Sequence, residues 1–467
     1  MVEWLYEWEK PCTPFYPAVF IEAGTHMPSS LDLNPTTLLT GRKHSVTMFY
    51  DAESLAASEN HVKNLILAHP SRTGFIDEYA KIVEQKMARL RETARTVLTE
   101  GDPSLFESYF KEYWLASQPV AVIRHFNRVG VKECEKWLYQ KIPDAETRSK
   151  VFSILTATSK ESFAQKEQAR FHELLLLALG KFKQLFIEKS ASEITALLKS
   201  DAKLEELNSA VGEYLKEFEW FPCGYENEEP WNAEFVINEL KQGVLDEDKV
   251  LARLEMARAY PKKMAEEKQR LLQELQPSED VLRFLLALSE FSFYKDHLRE
   301  NYNRFHYATR PFLEKVSEAI GLHGLECTEL SPWQVIVLLE KKQKHSGTLL
   351  GNENYAFLFD SQTQKTEVIV GQKALDLYSQ AMGIQAITDA IAKGMAASPG
   401  KVTGTVKLIF RPRHYAGEKN IVLIAPMTNP DLVPALRNAI AVVTDEGGIT
   451  CHAAIVSREL GIPCIVG

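Results

Sequence analysis

From about residue 77 to residue 320, apolar side chains return every three or four positions with charges between them. That is the repeat of helices with one buried face. Asp77–Thr99 shows it most plainly, and it recurs over Ser162–Ile187, Glu193–Phe218, Ala233–Leu240, Asp246–Leu275 and Glu279–Ile320. Several runs exceed the usual globular helix of about 11–12 residues, so they predict helix pairs or members of a long bundle. Pro261, Pro277 and Pro311 are the natural breaks, because proline lacks an N–H and clashes with the preceding turn. Residues 10–50 are rich in Pro, Thr, Ser and Gly and predict loops with short strands. Tyr355–Asp360 and Lys365–Val370, joined by Ser361–Gln364, predict a β-hairpin. No fixed-period repeat is present, which argues against a solenoid.

The texture changes near residue 385. Val402–Phe410, Asn420–Ala425 and Ala439–Thr444 are short β-branched runs bounded by Gly, Pro and Asp, the pattern of buried strands. Between the last two, Asp431–Asn438 predicts a short helix with Pro430 at its first turn. A second helix is expected after Gly447-Gly448. The fold class is therefore multidomain: a mainly α-helical domain over 1–383 with a hairpin near 355–370, a linker over 384–393, and a small α/β domain over 394–467.

Composition narrows the function classes. The chain has 467 residues, 45% apolar and 25% charged, an ordinary globular balance that excludes collagen-like or disordered chains. A formal charge of −9 argues against a nucleic-acid binder. Residues 394–467 nevertheless hold seven Lys and Arg against five Asp and Glu, and a basic domain beside an acidic body suits a carrier of anions. The six cysteines are far apart with no CxxC pair, as in reduced thiols of a cytosolic protein rather than a disulfide framework or zinc site. The acidic, aromatic start is neither a signal nor a transit peptide. No apolar run approaches the roughly 20 residues that span a bilayer. A cytoplasmic protein without membrane contact is expected.

The chemistry concentrates in Thr444–Gly467. A buried strand ending at Thr444 runs into the tight Gly447-Gly448 turn, and Thr450 is expected to cap a helix starting near Cys451. Ala453–Val456 form the buried side, Arg458-Glu459 the polar end, and Gly461 the stop. His452 then lies on the first turn of a helix. The partial positive charge there favours a neutral, nucleophilic imidazole, and the backbone N–H groups stabilise a phosphoryl anion attached to it. Gly447 and Gly448 let backbone and ligand approach closely, while the Thr450 hydroxyl and Arg458 guanidinium are suited to phosphate oxygens. Cys451 reads as packing. A histidine at a helix start, taken alone, is more often an ordinary surface group.

Other clusters have blander readings. Trp220, Phe221, Tyr225 and Trp231 either wall an acceptor pocket or pack between helices. Glu226, Glu228 and Glu229 read as a solvated loop, not a metal site. His297, Arg299, Arg304, His306 and Arg310 follow one another along one long helix, as a solvated basic face or an anion patch. No residue set points to a metal.

The flanks of His452 change its weighing. Gly447-Gly-Ile-Thr-Cys-His-Ala-Ala-Ile-Val-Ser-Arg-Glu-Leu-Gly-Ile-Pro463 resembles the phosphohistidine signature of the phosphoenolpyruvate-utilising enzyme family, of the phosphoenolpyruvate synthase, pyruvate phosphate dikinase and rifampicin phosphotransferase type. Gly394-Met-Ala-Ala-Ser-Pro-Gly-Lys-Val-Thr-Gly404 and Val422-Leu-Ile-Ala-Pro-Met-Thr-Asn-Pro-Asp-Leu-Val-Pro434 resemble the preceding strands of the same domain, in the same order. The resemblance implies a β/β/α swivelling domain that moves between a loading and an unloading site, with His452 phosphorylated on its ring. More loosely, Phe293–Ile320, Leu330–Glu340 and Glu219–Trp231 resemble the helical region that holds the acceptor in the antibiotic-modifying members.

Nothing before residue 390 resembles the family's ATP-grasp module, no GxxxxGK[ST] is present, and the helical sequence cannot supply a barrel of eight βα units. The expected function is a phosphotransferase component: His452 relays a phosphoryl group from ATP or phosphoenolpyruvate to a small-molecule acceptor. An ATP-grasp subunit in trans is the natural source of the donor site, with Mg²⁺ and ATP bound there. The alternative is a non-catalytic or regulatory phosphohistidine protein. The family's domain usually continues beyond Ile-Pro-x-Ile-Val-Gly, so either the chain is a fragment or its last sheet is reduced and leaves a strand edge unpaired.

Overall fold

The computed structural model describes residues 4–25, 35–42, 45–224, 228–245, 264–363, 365–382, 394–409, 415–428, 432–445 and 451–467. The chain divides into two compact units. One comprises Met1–Lys141, Tyr225–Asn227 and Pro277–Ala392, the other Ile142–Gly224, Glu228–Gln276 and Lys393–Gly467. The helical sequence expected as one domain over 1–383 thus contributes to both.

The first unit combines a sheet with long helices. Residues 10–50 hold more regular structure than their composition predicts: strand β1 (Trp4–Pro11), helix α1 (Phe15–Thr25), and strands β2 (Thr37–Arg42) and β3 (Ser45–Asp51). The predicted hairpin forms β4 (Tyr355–Asp360) and β5 (Lys365–Val370). It is part of a five-stranded antiparallel sheet in the order β1-β3-β2-β4-β5. Leu38, Phe49, Ala356 and Ile369 bury one face under helix Gln372–Met382. Helices α2 (Ala52–Ala68), α3 (Gly74–Glu100), α4 (Phe106–Lys141) and the 41-residue Glu279–Ala319 form the bundle. The periodicity over Asp77–Thr99 marks α3, which ends where Gly101 turns left-handed (φ 63°) and returns its N–H to Val97. Pro277 lies in a break. Pro311 does not break its helix, because Phe305, Thr309, Phe312, Leu313 and Val316 are buried on both sides of it, and that packing offsets one lost backbone bond. Pro261 lies outside the described residues.

The second unit sets an α/β domain against helices. Those helices are α5 (Ala145–Leu155), α6 (Phe163–Lys181), α7 (Lys183–Glu188), α8 (Ala191–Leu198), α9 (Glu205–Phe218), α10 (Ala233–Leu245) and α11 (264–275). Numbering then continues with α12 for Glu279–Ala319, α13 for Pro332–Glu340 and α14 for Gln372–Met382. A capping box starts α6: the Ser162 hydroxyl accepts the Gln165 N–H and the Gln165 side chain accepts the Ser162 N–H.

In the α/β domain, strands β6 (Met395–Ser398), β7 (Thr405–Leu408), β8 (Ile421–Ala425), β9 (Ala439–Thr444) and β10 (Cys464–Val466) lie in the order β6-β10-β9-β8-β7. All neighbours are parallel except β6 with β10. Helices α15 (Val433–Asn438) and α16 (His452–Glu459) connect β8 to β9 and β9 to β10. The proline in the first turn of α15 is Pro434, not Pro430, which is outside the described residues. Strand β10 is paired on both sides, with β9 and with β6.

The two parts of this unit meet through charge. Arg437, on α15, donates from Nη2 to both carboxylate oxygens of Glu167 on α6, at 2.7 and 2.8 Å. Glu167 is 0% exposed and also accepts the Tyr214 hydroxyl from α9. The Arg437 guanidinium stands 4.1 Å from the Phe171 ring centroid. Glu239, buried on α10 beside this group, has its carboxyl pushed up to about 7 by burial and by Glu167, against the pull of Arg437. Its native affinity for a proton therefore exceeds the unfolded one. The stability it contributes is full below the ordinary value of about 4.5 and is lost as pH rises to about 7. Urea midpoints should fall between pH 5 and pH 8, and Glu239→Gln should flatten that fall.

Candidate functional site

His452 is the first residue of α16, where the sequence places it. The cap differs. It is Cys451, with extended backbone (φ −74°, ψ 164°), whose Sγ accepts the Ala454 N–H at 3.5 Å. Thr450 is one residue too early to hold that position and, with Gly447 and Gly448, lies outside the described residues. Cys451 also packs on the core of the α/β domain, so the packing role read from sequence is joined by a capping role. Ala453, Ala454 and Ser457 are buried and fix the rotation of α16. Gly461, left-handed at φ 65°, stops it.

The residue that sequence reasoning missed is Thr428. It follows β8 and is 6% exposed, and its Oγ1 lies 3.0 Å from His452 Nδ1. When the Nδ1–H donates to that hydroxyl oxygen, the lone pair is on Nε2 and the ring is a nucleophile there. Nε2 is shielded from solvent. The hydroxyl therefore holds the ring orientation and can accept from a protonated Nδ1. Losing one hydrogen bond of this kind costs about 1–1.5 kcal/mol. Thr428→Val should accordingly slow modification of His452 about tenfold with little change in stability, read as the rate of acid-labile phosphoryl incorporation. The only sequence signal for Thr428 was its place in the segment Val422–Pro434, 24 residues before the histidine.

Arg458 lies on the same helix, six residues after His452, a rise of about 9 Å. Its Nε donates to the Ala454 carbonyl at 2.7 Å, which draws the side chain back along α16. Its neighbour Glu459 accepts the Gln165 amide at 2.6 Å, so the end of the histidine helix is tied to α6.

The secondary clusters resolve mostly into packing. Trp220, Phe221 and Trp231 are 3%, 0% and 8% exposed. Phe221 stacks on Trp231 at 4.8 Å, and Phe163 meets Phe221 at 5.3 Å, which fills the space an acceptor pocket would need. Tyr225 and Glu226 lie outside the described residues. The basic series on α12 is not one face: His306 is buried and bonded to the Tyr113 hydroxyl, His297 pairs with Glu84 at 3.1 Å, and Arg304 with Glu300 at 3.1 Å. None of the six cysteines forms a disulfide. Among the described residues no three His, Cys, Asp or Glu side chains gather as a metal ion would require. Among them, too, no helix is long and apolar enough to cross a membrane.

Residues 417–467 match the family model of the PEP-utilising enzyme mobile domain. The chain is similar to the phosphoenolpyruvate synthase of Pyrococcus furiosus, 38% identical over 158 residues, 33% of this chain and 19% of that protein. It is 55% identical over 78 residues to the probable phosphoenolpyruvate synthase of Archaeoglobus fulgidus, 16% of this chain and 10% of the relative. With the phosphoenolpyruvate synthase of Escherichia coli it shares 46% identity over 82 residues, again 16% and 10%. The matches span less than a fifth of the length of these relatives.

Proposed function

We propose that this chain, whose residues 417–467 match the mobile domain of the PEP-utilising enzyme family, is a phosphotransferase component in which His452 carries the phosphoryl group. The donor is ATP or phosphoenolpyruvate on a site supplied by another subunit, of the ATP-grasp kind where ATP is used, and the acceptor is a small molecule. The observation that carries this reading is the 3.0 Å contact between Thr428 Oγ1 and His452 Nδ1 at the start of α16.

The chemistry follows from that contact. The Nε2 lone pair attacks the phosphorus in line, an N–P bond forms, and the donor's P–O bond breaks with its electron pair leaving on the donor oxygen. The Nδ1–H stays with Thr428 throughout. The first-turn N–H groups of α16 favour the new anion over the neutral ring. In this reading Gly447, Gly448 and Thr450, which precede α16 in sequence, and Arg458 on the helix itself are the phosphate-binding residues. Unloading reverses the sequence: the acceptor's nucleophile takes the phosphoryl group and the N–P electrons return to Nε2. Where ATP is the donor, magnesium would be held with it at the other subunit's site and would neutralise phosphate charge there.

Labelled ATP or phosphoenolpyruvate, offered with and without an ATP-grasp partner, tests the reading. Label that is acid-labile and base-stable is the expected result. Absence of label from every donor and partner combination would overturn it.

A further inference from the structure

The α/β domain has a core of its own. Ile409, Ile421, Leu423, Leu436, Val442, Ala454 and their neighbours are buried against one another, with no residue of α5–α11 in that cluster. Helix α5 packs against β6, and polar contacts join the domain to α6, α9 and α10. Arg437 meets Glu167, which Tyr214 also holds; the Glu459 carboxylate meets the Gln165 amide; and the Lys419 ammonium donates to the Gln242 carbonyl at 3.4 Å. The central pair is largely desolvated, with Glu167 at 0% and Arg437 at 14% side-chain exposure.

Such a joint has a particular energetic character. Desolvation of a buried ion pair nearly cancels its attraction, so separating both partners into water together costs little. Removing one partner alone is costly, because the other stays buried and uncompensated. An apolar joint of the same area would resist opening, since every square ångström would have to be rehydrated. A charged joint on a domain with its own core therefore specifies one docked register and can still open.

From this arrangement we infer that Glu167, Tyr214 and Glu239 on the helices, with Arg437 on α15, form a reversible docking latch that parks the histidine-bearing domain on α6, α9 and α10. The inference rests on the reading of His452 as a phosphoryl carrier, because a domain that loads and unloads at a buried Nε2 has to leave its resting place. Arg437 and Glu167 are positioning residues here, and neither touches His452.

Native-state hydrogen exchange of the full chain at rising urea tests it without any phosphoryl chemistry. In the wild type, amides of α15 and of the first two turns of α6 should exchange through a partial opening. Its urea dependence should be weaker than that of β8 and β9, which need global unfolding. Arg437→Ala should speed the first set at least tenfold and leave β8 and β9 unchanged. The double variant Glu167→Leu/Arg437→Met, which replaces charge by apolar contact, should slow the first set at least tenfold and fold normally.

If α15 and α6 exchange only together with β8 and β9 in every variant, the joint is permanent core and the latch is wrong. Equal exchange in the wild type and the double variant overturns it as well. Phosphoryl labelling is read separately. Failure of wild-type labelling removes the carrier reading and the purpose assigned to the latch, whereas normal labelling with unchanged exchange removes the latch alone.

Discussion

Glutamine in place of His452 is expected to reduce acid-labile labelling to background while the urea midpoint stays within about 0.5 kcal/mol of wild type. The substitution keeps a side chain of similar length and an amide that can still bond the Thr428 hydroxyl. An amide nitrogen, however, has its lone pair delocalised and cannot attack phosphorus. Among the described neighbours Cys451 turns its sulfur to the Ala454 N–H, and Thr428 is the partner of the ring itself. The contrast with Thr428→Val is informative, since that change costs ring orientation and leaves the nucleophile in place. Label retained at the wild-type level in His452→Gln would move the chemistry to another of the chain's 12 histidines.

The largest stability effect is expected at Phe221→Ala. Its ring is 0% exposed and sits between Phe163, Trp220 and Trp231, with centroids at 5.3, 5.9 and 4.8 Å. Truncation removes the transfer free energy of a buried phenyl ring and leaves a cavity walled by rigid rings that cannot collapse into it. Large-to-small changes of this kind cost about 3–5 kcal/mol. Denaturant titration would show it as a lower midpoint with unchanged slope. The result also separates the two readings of the cluster. A pocket wall would lose acceptor binding with modest destabilisation, whereas a packed core loses stability first.

How much of this was legible depends on how far each signal reaches along the chain. Helices α3 and α12 were visible because their repeat of buried positions persists over many turns. Helix α1 was not, because Phe-Tyr-Pro-Ala-Val-Phe-Ile-Glu-Ala-Gly-Thr is apolar on nearly every side and shows no polar face to set a period. Strands β6 and β10 have four and three residues, too short for alternation to stand out. His452 was legible because a local run of glycine, cap and small residues surrounds it. Thr428 was not, since only the strand order of the sheet brings the end of β8 beside the start of α16. Glu167 and Arg437 are 270 residues apart and look like any charged pair on two amphipathic helices. The proline reading failed at Pro311 for the complementary reason: a local rule was overruled by packing from elsewhere in the chain.

The place of β10 between β9 and β6 governs how the α/β domain comes into being. Strands β7, β8 and β9 can pair in the order in which they are made, each joining the one before. Strand β6 is made first and waits, because its partner begins at Cys464 and pairs with Ser398. Closing so long a loop is slow compared with local pairing, so the sheet should form in two kinetic stages. Until the second is complete, the helix that presents His452 is already held between β9 and β10, while the far edge of β10 stays open for β6.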